Sequence, residues 1–197
     1  MSNKDTYKTI VAIGTSTGGP KALHELLLGL PKDLQATYLI VQHMPAGFTK
    51  SLAERIDASA EIAVKEAEDG EQLQQGTAYI APGGYHMLVE NNSRPTIKLT
   101  KLPPVKGHRP SVNMMLGSLH LMNTKHKIIG VIMTGMGSDG LDGLMALKEK
   151  ENIPIIAQNE ASCVVYGMPR AVVEAGIANK IVPLNQIANE IIRYVRG

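Results

Sequence analysis

The chain has 197 residues, 44% of them apolar, and a net charge of 20 − 18 = +2. That length fits one α/β domain with a core of its own, and the near-neutral charge, with no dense basic stripe, gives general nucleic-acid binding little support. A single cysteine, Cys163, excludes an internal disulfide and a cysteine-built zinc site.

The segment from Met1 to Lys8 is polar and lacks the apolar core of a signal peptide. No apolar run approaches the roughly 18 residues of a membrane span. A cytoplasmic protein is expected. Thr9 to Ile13 then reads as a strand, followed by a helix with Leu23, Leu26, Leu27 and Leu30 along one stripe. Leu39 to Gln42 and Ala78 to Ala81 read as further strands. His86 to Glu90 and Thr96 to Thr100 read as an antiparallel hairpin joined by Asn91 to Pro95. The segment from Lys101 to Pro110, with three prolines and Gly107, is a loop. A helix follows with Val112, Met115, Leu116 and Leu119 on one face. Lys127 to Thr134 and Pro154 to Gln158 are strands, the first with the continuous apolar character of a strand buried on both faces. The last helix carries Leu184, Ile187, Ala188, Ile191, Ile192 and Val195. Alternating strands and helices predict a single doubly wound, mostly parallel sheet with helices on both faces and an antiparallel edge hairpin.

In such a sheet, ligands bind beyond the carboxyl ends of the strands. After the first strand comes Gly14-Thr15-Ser16-Thr17-Gly18-Gly19-Pro20. Its first five residues fit the Gly-x-Ser-x-Gly nucleophile pattern, and the same glycines would equally serve a phosphate-binding turn. Neither the Gly-Lys-Ser/Thr of a P-loop nor the full Gly-x-Gly-x-x-Gly spacing is present. After the second strand comes His43, on the same edge as Ser16, where a general base must stand. A lone loop histidine more often has no special role. Of the other five, only His108 lies in a loop whose position leaves it open. After the strand ending near Thr134 comes Gly135-Met136-Gly137-Ser138-Asp139-Gly140. Asp139 shares the same edge, and its other reading is to cap the helix that carries Leu141, Leu144 and Met145. A serine, a histidine and an aspartate from three strand ends are the combination acyl transfer needs.

These segments, with Gln42-His43-Met44-Pro45, Ala81-Pro82-Gly83-Gly84 and Ala161-Ser162-Cys163-Val164-Val165-Tyr166-Gly167-Met168-Pro169, resemble the catalytic domain of the chemotaxis protein-glutamate methylesterases, the CheB family. The match runs from about Thr9 to Val195. The resemblance implies a serine hydrolase that removes methyl groups from glutamate γ-methyl esters of chemoreceptors, releasing methanol, and deamidates certain receptor glutamines. It implies Ser16 as nucleophile, His43 as base, Asp139 as the orienting acid, Met136 as a backbone N–H donor to the oxyanion and Thr17 as a neighbour of the site. Neither metal nor cofactor is expected. The expected partner is the cytoplasmic helical region of a chemoreceptor. Phe48, Arg109, Tyr166 and Met168 are candidate substrate contacts, and Lys101, Lys106, His108 and Arg109 form a modest basic group. The chain departs from the family at Ala46, Asn113 and Asn159, where a proline and two aspartates are common. Residues 9–197 are read as the catalytic domain. The acidic phosphoacceptor cluster of a receiver domain is not among them, so a receiver domain is expected to be absent or removed. A nucleotide- or phosphate-binding module and a non-catalytic receptor adaptor stand as alternative readings.

Overall fold

The computed structural model describes residues 7–91 and 94–197. Most of the polar amino-terminal segment and the hairpin-loop residues Asn92 and Ser93 lie outside the described residues.

The elements, in chain order, begin β1 (Thr9–Thr15), α1 (Gly19–Leu28), β2 (Ala36–Gln42), α2 (Phe48–Asp57), β3 (Ala63–Glu66) and β4 (Thr77–Ile80). The hairpin β5 (His86–Asn91) and β6 (Pro95–Thr100) follows, then α3 (Val112–Leu121), β7 (Lys127–Ile132), α4 (Leu141–Glu151) and β8 (Ile155–Gln158). The chain ends with α5 (Gly167–Glu174), β9 (Lys180–Val182) and α6 (Leu184–Arg196). Seven strands form one parallel sheet in the order β3-β4-β2-β1-β7-β8-β9.

Period-2 alternation divides the core. Ile10 and Ala12 of β1 face one side with Leu39 and Val41 of β2, and pack with α3, α4, α5 and the hairpin. Val11 and Ile13 face the other side with Tyr38 and Ile40, and pack with α1, α2 and α6. Both faces of the central strands are therefore dry, as their continuous apolar runs predict. Gly130 in β7 marks a close approach on the first face: a Cβ there would stand 2.4 Å from Leu144 Cδ2.

The hairpin is present, and it forms its own two-stranded sheet instead of lengthening an edge of the large one. It lies against α3, where the Ser118 hydroxyl accepts from the Val89 N–H. The order of strands reverses at the centre. From β1 the chain crosses to β2 on one side, and β7, on the other side of β1, leads away to β8. The crevice beyond β1 and β7 is thus the switch point, where ligands bind in open α/β sheets.

Candidate active site

Thr15 and Gln42 are paired in the β1–β2 ladder, so Ser16 and His43 leave the sheet side by side. The His43 N–H donates to Thr15 O at 3.2 Å. The Gln42 amide, 2% exposed, donates to both Ser16 O (2.9 Å) and His43 O (3.2 Å), tying the two turns together. On the other side, the Ser16 N–H donates to Thr134 O, as does the Thr15 hydroxyl. The Thr134 hydroxyl donates to Thr17 O and accepts from the N–H groups of Val164 and Val165. Three loops are thereby fastened around Ser16. Gly18, at φ +82°, lets the chain turn from β1 into α1, and Pro20 occupies the first turn of that helix. Gly135 lies so close that a Cβ on it would stand 2.8 Å from Ser16 Cβ.

Asp139 comes from the turn after β7 and meets His43 at 2.7 Å, Oδ2 to Nε2, with 3% and 8% of the two side chains exposed. Its Oδ2 also accepts from the Val112 N–H at 2.7 Å. Its Oδ1 accepts from the Ser111 hydroxyl and the Asn113 N–H, both at 2.9 Å. Burial by itself would raise the Asp139 carboxyl. The bonds from His43 and from the Asn113 and Val112 amides outweigh that and hold it below the ordinary aspartate value. Because Asp139 is a carboxylate and can only accept, His43 must carry its proton on Nε2. Nδ1 is then the nitrogen with a free lone pair, and it is buried with no hydrogen-bond partner among the described residues. Ser16 and His43 are not hydrogen-bonded to each other here, a looseness that unliganded sites often show.

The helix-cap reading of Asp139 is corrected. The helix that follows it, α4, is capped by Gly140 with no side-chain cap bond. The carboxylate sits instead at the amino terminus of α3, whose N–H groups and positive dipole end favour an anion.

The other candidates are scattered in role. Met136 is 70% exposed on the turn beside Ser16, and Thr17 is exposed on the turn after β1. Phe48 begins α2 and is 59% exposed near the same edge. Arg109 turns its guanidinium back onto its own loop, Nη1 donating to Lys101 O and Leu102 O. Tyr166, half-buried, has the Arg170 guanidinium over its ring. Met168 does not line the cleft: it is 1% exposed and packs in the core beneath Gly135. A narrow cleft runs beside His43, lined by Met44, Pro45, Gly107, His108 and Arg109.

Gln42, Thr134 and Gln158 escape sequence reasoning as site residues, though each ends an apolar strand with a polar side chain. Such a residue, buried at a strand end, has to find partners in the loops beyond. Gln158 does so by accepting from the Thr134 N–H and donating to Ser162 O.

Comparison with known proteins agrees with this architecture. The family model described as CheB methylesterase matches residues 11–191. The chain is 54% identical over 189 residues to a protein-glutamate methylesterase/protein-glutamine glutaminase of Geobacillus kaustophilus, covering 95% of this chain and 54% of that protein. It is 53% identical over 190 residues to the protein of the same name from Halalkalibacterium halodurans, covering 96% and 54%. The chain thus spans about half the length of the curated relatives it matches. The crystal structure of the Thermotoga maritima CheB methylesterase catalytic domain is similar over 95% of this chain and 98% of that one, with a TM-score of 0.89 and 41% identity. A match across nearly all the chain, in sequence and in fold, settles the family: the chain belongs to the CheB methylesterases.

Proposed function

We propose that this chain hydrolyses the γ-methyl esters of glutamate side chains on the cytoplasmic helices of chemoreceptors, and that the same site deamidates glutamine side chains. Ser16 Oγ attacks the ester carbonyl carbon while its proton passes to Nδ1 of His43. Asp139 keeps Nε2–H in place and stabilises the imidazolium that forms. The tetrahedral oxyanion accepts from the backbone N–H of Met136, in the turn between Gly135 and Gly137. The intermediate collapses, the bond to the methoxy oxygen breaks, and His43 returns the proton to release methanol. Water, deprotonated by His43, then cleaves the acyl-serine to give the glutamate carboxylate. With glutamine the leaving group is ammonia and the rest is unchanged.

The observation that carries this reading is the His43–Asp139 bond of 2.7 Å, which leaves a buried, unpartnered Nδ1 on the strand end beside Ser16. A phosphate-binding turn would have no use for such a pair. The relatives are named as protein-glutamate methylesterases and protein-glutamine glutaminases, which supports side-chain esters and amides of a protein as the substrate class. No helix among the described residues is long and apolar enough to cross a membrane, and a cytoplasmic site of action goes with a receptor's cytoplasmic helices. The test is methanol release from methyl-labelled chemoreceptor membranes. Ser16→Ala is expected to abolish it with the melting temperature unchanged. Retained turnover in that variant overturns the assignment.

A further inference from the structure

His108 lies directly on the site without belonging to its hydrogen-bonded chain. Its imidazole stacks on that of His43, with centroids 3.8 Å apart and planes within 4°. The loop that carries it is built, not loose. Val105 and His108 exchange both backbone hydrogen bonds, at 3.0 and 2.9 Å, across Lys106 and Gly107 at φ +48° and +84°. Two left-handed central residues make the tight turn that closes such a two-residue loop. Next to it, Arg109 O accepts from the Gly84 N–H. The wholly buried His86 bonds Pro103 O through Nε2 and accepts from the Ser111 N–H at Nδ1, so one side chain pins both ends of the segment.

We propose that His108 is a positioning residue: its ring covers one face of His43 and keeps Nε2 on Asp139, so that Nδ1 stays turned to Ser16. The proposal rests on the reading of His43 as the base. A single in-plane hydrogen bond fixes one point of an imidazole and leaves the ring free to tilt about it. A second ring at van der Waals distance removes that freedom. His108 is suited to the task because its surroundings disfavour its charged form. Burial, and then the nearby His43, hold it below the ordinary histidine value, with Asp139 opposing. A neutral aromatic face attracts the imidazolium that His43 becomes when it takes the serine proton, whereas a protonated one would repel it.

The test compares His108→Ala and His108→Phe in the 197-residue chain, using methanol release and the ¹⁵N signals of the His43 ring. Displacing a catalytic group by a fraction of an ångström is costly. His108→Ala is expected to lower kcat about tenfold with KM unchanged. The His43 signals are expected to change from a single Nε2–H tautomer to a mixture. His108→Phe, which keeps a flat face and has no proton to exchange, is expected to recover most of the rate and the single tautomer. A merely structural loop residue would not move the tautomer. Normal kcat and an unchanged ring signature in His108→Ala overturn the proposal. So does a His108→Phe variant as slow as His108→Ala. His43→Ala is run alongside: if it keeps the activity, the base assignment itself fails and this proposal with it, whereas its loss leaves the His108 variants to decide alone.

Discussion

Asp139 is held by four donors, more than are needed to orient one histidine: the His43 ring, the Ser111 hydroxyl and the Val112 and Asn113 amides. Two roles meet in it, and they can be separated. In Asp139→Asn, one carboxylate oxygen becomes an NH₂. Placed at Oδ2, that group faces the Val112 N–H and forces the wrong tautomer on His43; placed at Oδ1, it faces the Asn113 N–H. Turnover is expected to fall by a factor on the order of 10³–10⁴. Ser16→Ala combined with it should be little slower than Ser16→Ala alone, because the two act as one unit. Stability should fall too, by about 1.5–3 kcal/mol for the loss of bonds to a charged group. The pH dependence has a definite sign. The folded carboxyl lies below its ordinary value. Its contribution is therefore full above the unfolded aspartate value of about 3.9 and is lost as pH falls through the lower folded one. The gap in denaturation midpoint between native chain and variant is expected to be widest near pH 7 and to close in acid. A gap that persists unchanged in acid would show that the charge is not what the cradle holds.

Helices α3 and α4 cap each other. Asp139, just before α4, accepts from the first N–H groups of α3. Asn113, in the first turn of α3, accepts through Oδ1 from the N–H groups of Gly140 and Gly143, each at 3.0 Å. The helices meet so closely that a Cβ on Gly143 would stand 2.6 Å from Leu116 Cβ. Asn113→Ala removes both bonds to α4 and should cost about 1 kcal/mol, the usual worth of a cap. Asn113→Asp keeps the acceptor at a helix amino terminus and should melt with the native chain. Thermal melts of the two variants check this, and equal losses in both would count against the cap. This coupling was hidden in the sequence, where an aspartate before a helix reads as the cap of that helix. The elements themselves were more legible. Continuous β-branched runs marked the central strands because both of their faces are buried, and the apolar stripe of α6 marked the last helix. β3 was silent because Ala63-Val64-Lys65-Glu66 holds a single buried residue at a sheet edge. β9 has only three residues, none fully buried. Ser16, His43 and Asp139 could be placed on one edge because parallel topology sends the loops after β1, β2 and β7 there. The stack of His108 on His43 could not, since it depends on the path of the ten residues from Lys101 to Pro110.

At the scale of the molecule, the site stands on the part of the sheet hardest to open. β1 is paired along all seven residues with β2 and along six with β7, and each of its residues is buried. Its neighbours are likewise covered on both faces, while β9 pairs on one side only and leaves Ile181 half exposed. Opening free energies in a folded chain range from near zero at frayed edges to the full unfolding value in the core. The amides of Ile10 to Ile13, Leu39 to Val41 and Ile129 to Val131 are therefore expected to exchange with solvent only by global unfolding. Their protection should share one free energy and fall together when denaturant is added. β9 amides should exchange by local opening, faster by orders of magnitude and with little response to dilute denaturant. The loop from Lys101 to Pro110 is expected to join β9 in this faster class. Its exposed residues from Lys101 to Pro104 bury little, and its ties are a few backbone bonds and the pins from His86 and Arg109. The Ser16 turn is fastened separately from this loop, through Gln42 and Thr134. Native-state hydrogen exchange at increasing denaturant measures both classes in one experiment. If the His108 amide fell in the global class with β1, the loop would be a fixed wall of the site; if the β1 amides exchanged by local opening, the rigid platform assigned to Ser16 would be wrong.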